Sequence, residues 1–265
     1  PWINKWFNAF TYDRNRETDR SMYRHMARWM LDSLGGKEPF FLSSMTKTNH
    51  YPFNGTSEEE FPDLDDLNVK MVNTMKYTER AMEELMLAIS KASWYENTLF
   101  FFMADHGFAL GEHEEGGVIG GIYKENSWVP FLVFGKHPQL LDTLALSQAS
   151  SQIDIAPTIL DLAGIRVANS FMGHSLLKGK RPHKKAYLLR SNQRLVVADS
   201  LRSYCDSYVK RPKGLEVFQD LKDPNETENL FTDLIGEHST ACLSAARIDT
   251  LLSYAVEGNR VFPRD

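Results

Sequence analysis

Cysteine, net positive charge and long apolar runs are all scarce in this 265-residue chain, and each scarcity closes off a class of function. Cysteine occurs twice, at Cys205 and Cys242, too few for a disulfide framework. These two could bridge, but nothing in the sequence requires it, and two unpaired, partly buried thiols are expected. Positive charge is in deficit: 30 Lys and Arg stand against 35 Asp and Glu, a formal net charge of −5. A nucleic-acid binder needs a basic patch, and no footprint of that kind is present. No apolar run approaches the ~20 residues that span a bilayer. Pro1-Trp2-Ile3-Asn4-Lys5-Trp6 is no signal peptide. Repeats and low-complexity tracts are also missing. What is present is ordinary globular composition, with 42% hydrophobic and 25% charged residues, which fits one domain with a small appendage. Asn54-Gly55-Thr56 and Asn225-Glu226-Thr227 fit the glycosylation acceptor pattern. Such triplets arise by chance and do not set a compartment.

Along the chain, periodicity alternates between strand and helix, which predicts an α/β fold. Residues 17–34 read as a helix, with Met22, Met26, Trp29 and Met30 at helical spacing and Gly35-Gly36 ending it. Residues 40–45 read as a short strand and residues 67–92 as a long helix. Strands follow at 99–103 and 129–134, then a helix over 154–163 with Pro157 in its first turn. Short alternating stretches at 188–189, 195–198, 204–209 and 215–219 predict a small antiparallel sheet, and residues 239–256 a terminal helix. The basic, Pro- and Gly-containing run Gly179-Lys180-Arg181-Pro182-His183 suggests a boundary, giving a main α/β domain over 1–180 and a small subdomain over 181–265.

The most telling stretch is Phe100-Phe101-Phe102-Met103-Ala104-Asp105-His106-Gly107, continuing to Gly111-Glu112-His113. An apolar strand ends abruptly in a carboxylate and an imidazole, one oxygen and one nitrogen ligand for a divalent metal. Open α/β sheets place their sites at such strand ends, and Gly107 permits a sharp turn there. The plainer alternative is a strand capped by a polar turn.

This region resembles the sulfatase family of the alkaline phosphatase superfamily. So do Thr48-Asn49-His50-Tyr51-Pro52-Phe53, Tyr123-Lys124-Glu125-Asn126-Ser127-Trp128-Val129-Pro130, Ser151-Gln152-Ile153-Asp154-Ile155-Ala156-Pro157-Thr158 and Asp223-Pro224-Asn225-Glu226-Thr227-Glu228-Asn229-Leu230. The resemblance implies an alkaline-phosphatase-like sheet flanked by helices, followed by a small antiparallel sheet and a helix. It implies Asp105 and His106 as metal ligands for calcium, manganese or magnesium. It implies His50 as a group that assists the ester oxygen or leaving group, with His113 a second substrate-side candidate. For both histidines a structural role is the alternative reading, a solvated strand end for His50 and a loop position for His113. The substrate implied is a sulfate or phosphate ester.

One departure from the family pattern matters most. The family's nucleophile motif, Cys-x-Pro-Ser-Arg or its serine form, is absent, and neither cysteine has that context. The chain is therefore expected to be the carboxyl-terminal portion of a longer enzyme, with the missing N-terminal half as its partner. Metal binding by this portion alone is expected to be weak or absent, because two ligands do not close a site. The lysine that clamps sulfate in many sulfatases is also missing, since Ile119 stands at its place, and Lys47 and Lys124 are retained only as possible anion contacts. The resemblance to phosphoglycerol transferases and lipoteichoic acid synthases therefore stays open, as does a catalytically inactive binding scaffold. An extracytoplasmic or membrane-anchored parent is expected.

Overall fold

A computed structural model describes residues 19–35, 38–53, 65–113, 123–140, 149–177, 185–190, 193–198, 201–206, 217–219, 223, 225–228, 230 and 235–258. The chain divides into two compact units, Pro1–Phe100 with Val133–Lys136, and Phe101–Leu132 with His137–Asp265. The expected boundary at 179–183 lies outside the described residues.

The first unit is built on two helices, α1 (Asp19–Ser33) and α2 (Leu67–Ile89). Met22, Tyr23, Met26, Ala27 and Met30 recur three or four apart on α1, so one stripe is apolar and must be buried. It packs on Ala81, Leu85 and Ile89 of α2 and on Trp94. Asp66 starts α2 by accepting from the amides of Asn68 and Val69, which would otherwise be orphan donors. On the outer side, Glu84 bonds the guanidinium groups of Arg20 and Arg24. The Arg20 bond above all pulls its carboxyl down to about 2. The pair is open to solvent, so it adds little stability.

The expected strand at 40–45 is corrected. Phe40 and Leu42 do turn toward the helices, with Phe40 edge-on to Trp94 at 5.4 Å. Phe41 and Met45, however, are 75% and 79% exposed, and no ladder forms there. A strand exists only where a neighbour accepts its backbone hydrogen bonds, and among the described residues none does.

Strands β1 (Phe100–Met103) and β2 (Phe131–Phe134) are hydrogen-bonded neighbours in a two-stranded sheet. Phe101 and Phe131 stack at 6.4 Å in the second unit. That unit continues with the short helix α3 (Lys124–Ser127) and with α4 (Ile155–Leu162), which is apolar enough to bury Leu162. The buried Asp154 organises the approach to α4, accepting from the amides of Ser151 at 2.8 Å and His174 at 2.9 Å.

The predicted small sheet is present as β3 (Ala186–Arg190), β4 (Gln193–Ala198), β5 (Leu201–Asp206) and β6 (Val217–Gln219), antiparallel in that order. Its register pairs Leu188 with Leu195, Val196 with Ser203 and Arg202 with Phe218. Helix α5 (Ile235–Glu257) lies on β4 and β5, burying Ala241 and Ala245 against Val196. Small residues on α5 let the helix approach the sheet closely. The expectation of unpaired thiols is corrected here: Cys242 on α5 is disulfide-bonded. The chain's other cysteine, Cys205, belongs to β5, the strand over which α5 packs.

Candidate metal centre and its surroundings

Asp105 and His106 stand just past the end of β1 in the second unit. Their nearest ligand atoms, Asp105 Oδ2 and His106 Nε2, are 3.9 Å apart. Two groups that far apart can both reach one cation at the ~2.3–2.6 Å ligand distances of a hard ion such as calcium. The ring orientation fits as well. His106 Nδ1 lies 2.8 Å from the Gly107 carbonyl, which can only accept, so Nδ1 carries the proton. Nε2 is then the lone-pair nitrogen, the arrangement by which a second hydrogen bond fixes a ligating imidazole. The Asp105 side chain is 78% exposed and open to a ligand. The residues present therefore fit a divalent cation as two of its ligands.

The backbone under these ligands is held from two sides. Gln152 Nε2 donates to the carbonyls of Ala104 at 3.0 Å and Asp105 at 2.5 Å. The Gly107 amide donates to the Asn126 carbonyl at 3.3 Å, against α3. A Cβ at Gly107 would sit 2.1 Å from the Glu125 carbonyl oxygen, so only glycine permits this approach.

His113 is engaged on every side. Its Nδ1 lies 2.7 Å from Glu125 Oε1, and its Nε2 lies 2.8 Å from the Asn225 carbonyl. Its ring stacks flat on Tyr123 at 3.7 Å. Glu226, which is 2% exposed, accepts from the Lys124 amide at 2.9 Å. One ligand atom each from His113, Glu125 and Glu226 falls within 4.8 Å of the others. Both His113 nitrogens face acceptors, so the trio reads as a hydrogen-bonded network rather than a cation site. Burial alone would lower the His113 pKa. The bonds to Asn225 and Glu125 and the charges of Glu125 and Glu112 outweigh it and hold the imidazole above its usual value.

His50 belongs to the first unit, in a turn closed by His50 N donating to the Lys47 carbonyl at 3.0 Å and Phe53 N to the His50 carbonyl at 2.9 Å. Its Nδ1 lies 2.6 Å from the Tyr51 carbonyl, which makes Nε2 the nitrogen able to exchange a proton. The turn hangs on Asp19, 2% exposed, which accepts from the amides of Lys47 at 2.8 Å and Thr48 at 2.9 Å. Thr78 of α2 donates to Asn49 Oδ1 at 3.2 Å.

Sequence reasoning did not single out Gln152, Glu226, Asp19 or Thr78 as supports for these groups. Gln152 and Glu226 fall inside stretches it quoted, Ser151–Thr158 and Asp223–Leu230. Thr78 falls inside a further stretch of the family resemblance, Tyr77–Ala81, whereas Asp19 gave no local signal, because its partners lie 28–29 residues away.

The family pattern described as Sulfatase matches residues 2–165. The chain is 28% identical to the lipoteichoic acid synthase-like YvgJ of Bacillus subtilis over 160 residues, 54% of this chain and 25% of that protein. It is 28% identical to arylsulfatase K of Bos taurus over 178 residues, 58% of this chain and 31% of that protein. The chain thus spans less than a third of the length of these relatives. In fold it is similar to a protein of the alkaline phosphatase superfamily from Vibrio parahaemolyticus, with a TM-score of 0.67 at 18% identity over 93% of this chain and 56% of that one. With more than half of its length matched by the family pattern, the chain belongs to the sulfatase family.

Proposed function

We propose that this chain supplies the metal-binding strand end and a substrate-side histidine of a sulfate ester hydrolase. The observation that carries the reading is the Asp105–His106 pair. It places a carboxylate oxygen and a fixed lone-pair nitrogen side by side at the end of an apolar strand. When bound there, calcium, manganese or magnesium supplies charge stabilisation to the ester oxygens. Asp105 and His106 hold two of its positions, and Gln152 and Gly107 keep their backbone still. By resemblance to the family, His50 is assigned the role of assisting the leaving oxygen. His113 remains a substrate-side candidate only at the expense of a bond it already makes. The chain spans less than a third of these relatives and carries no nucleophile motif, so the reading places the nucleophile outside these 265 residues. We divide the chain into a main α/β domain over 1–180 and a subdomain over 181–265. The disulfide at Cys242 favours an oxidising, extracytoplasmic setting.

A second reading, phosphodiester cleavage or phosphoglycerol transfer, is favoured by the identity to the lipoteichoic acid synthase-like protein and by Ile119 in place of the clamp lysine. The experiment is to join this chain to the rest of its protein and assay p-nitrophenyl sulfate and bis-p-nitrophenyl phosphate with added divalent metal. Turnover of the sulfate ester, lost in Asp105→Ala and absent from the 265-residue chain alone, is the expected result. Turnover of the phosphodiester alone selects the second reading. Turnover of neither ester by the metal-loaded protein contradicts both and leaves a binding scaffold.

A further inference from the structure

We propose that His113 is a positioning residue: its doubly hydrogen-bonded ring pins the turn at 225–226 to α3 and thereby fixes the backbone that carries Asp105 and His106. The inference rests on the metal reading only for what that backbone is for.

The Asn225 carbonyl can only accept, so His113 Nε2 carries a proton. Glu125 is a carboxylate 2.7 Å from Nδ1, which makes that nitrogen a donor too. A ring that donates at both ends is an imidazolium, and it links two segments that are 100 residues apart in sequence: α3 and the turn at 225–226.

The turn has its own sign of being held on purpose. Glu226 adopts φ 55, the left-handed region that non-glycine residues seldom occupy. Such strain persists where surrounding contacts over-determine it. Its effect here is to send a buried carboxylate to the Lys124 amide, the first of α3. Helix α3 in turn presents the Asn126 carbonyl to the Gly107 amide and packs the Glu125 carbonyl where a Cβ at Gly107 would be. The path from the 225–226 turn to the residue after His106 is thus continuous: the turn bonds His113 and Lys124, and α3 bonds Gly107.

The charged and titratable groups that face the ring are Glu125, Glu226, Tyr123 and Glu112. The carboxylates favour the protonated ring. A group whose folded pKa is raised contributes stability fully below its unfolded value, ~6.5 for histidine, and loses it as pH rises through the folded value. The clamp should therefore loosen on the alkaline side.

Amide hydrogen exchange by NMR on the intact 265-residue chain, without metal or substrate, tests this. In the native sequence, protection of the Gly107 and Lys124 amides should fall as pH rises past ~6.5, after correction for intrinsic exchange rates. In His113→Gln, protection at both should be about tenfold lower or more at acid pH, the loss of one hydrogen bond to a charged group, and flat with pH. Amides of β4 and α5 should be unchanged. Glu226→Gln should lower Lys124 protection and keep part of the pH response. Unchanged protection at Gly107 in His113→Gln would overturn the proposal, as would an equal loss throughout β4 and α5, which marks a merely structural residue. Should the variant fail to fold, a flat native pH profile at Gly107 and Lys124 overturns it alone. Because nothing catalytic is measured, failure here leaves the ester-hydrolase reading standing, and failure of that reading leaves this result intact.

Discussion

A single imidazole does chemistry only if one nitrogen is held and the other is available, and His50 meets that condition. The Tyr51 carbonyl accepts a hydrogen bond from its Nδ1, and two supports, Asp19 and Thr78, hold the turn it stands on. Asp19 sits beside Tyr23, whose phenol is pushed up to about 12 by burial first and by the Asp19 charge second. In the joined protein, His50→Ala should lower turnover by ~10²–10⁴-fold, the usual worth of general acid-base help. The loss should be largest for an ester with a poor leaving group and small for an activated aryl ester. Metal content should not change. Equal losses for both esters would mean that His50 does not protonate the leaving group.

The decisive element is the loop that follows β1. The placement of Asp105 and His106 at its start was readable in the sequence because they sit where an apolar run stops, a purely local signal. Its supports were not readable in the same way. Gln152 reaches the Ala104 and Asp105 carbonyls from far along the chain, and Glu226 reaches Lys124 from farther still. Long-range hydrogen bonds leave no periodicity. The same limit explains the miss at 40–45, where the apolar alternation was real but pairing depends on a neighbour that the segment cannot announce. Helices α1 and α2 were legible because burial of one face imposes its own spacing. The close contact at Gly107 gives a test at this scale. Gly107→Ala forces a Cβ toward the Glu125 carbonyl at 2.1 Å, so backbone must move. Overpacking of this kind costs about 1–3 kcal/mol, readable as a lower urea midpoint. Metal affinity in the joined protein should fall with it, since the displaced residue adjoins His106. A variant with native stability and native affinity would show that the loop is not held by this contact.

At the scale of the whole molecule, the chain belongs to the sulfatase family, and Asp105 and His106 are its proposed metal ligands. Among the described residues no helix is long and apolar enough to cross a membrane. The carboxyl-terminal sheet and α5 were legible as short alternating runs followed by a helical one. The disulfide at Cys242 was not, because nothing in the sequence around that residue signals a bridge. The central claim is that Asp105 and His106 hold a metal that serves catalysis. Elemental analysis of the joined protein and its Asp105→Ala variant, each purified with manganese, calcium and magnesium available, tests it most directly. Stoichiometric divalent metal in the native protein, falling to background in the variant together with turnover, is the predicted result. Full metal occupancy in Asp105→Ala would contradict the account.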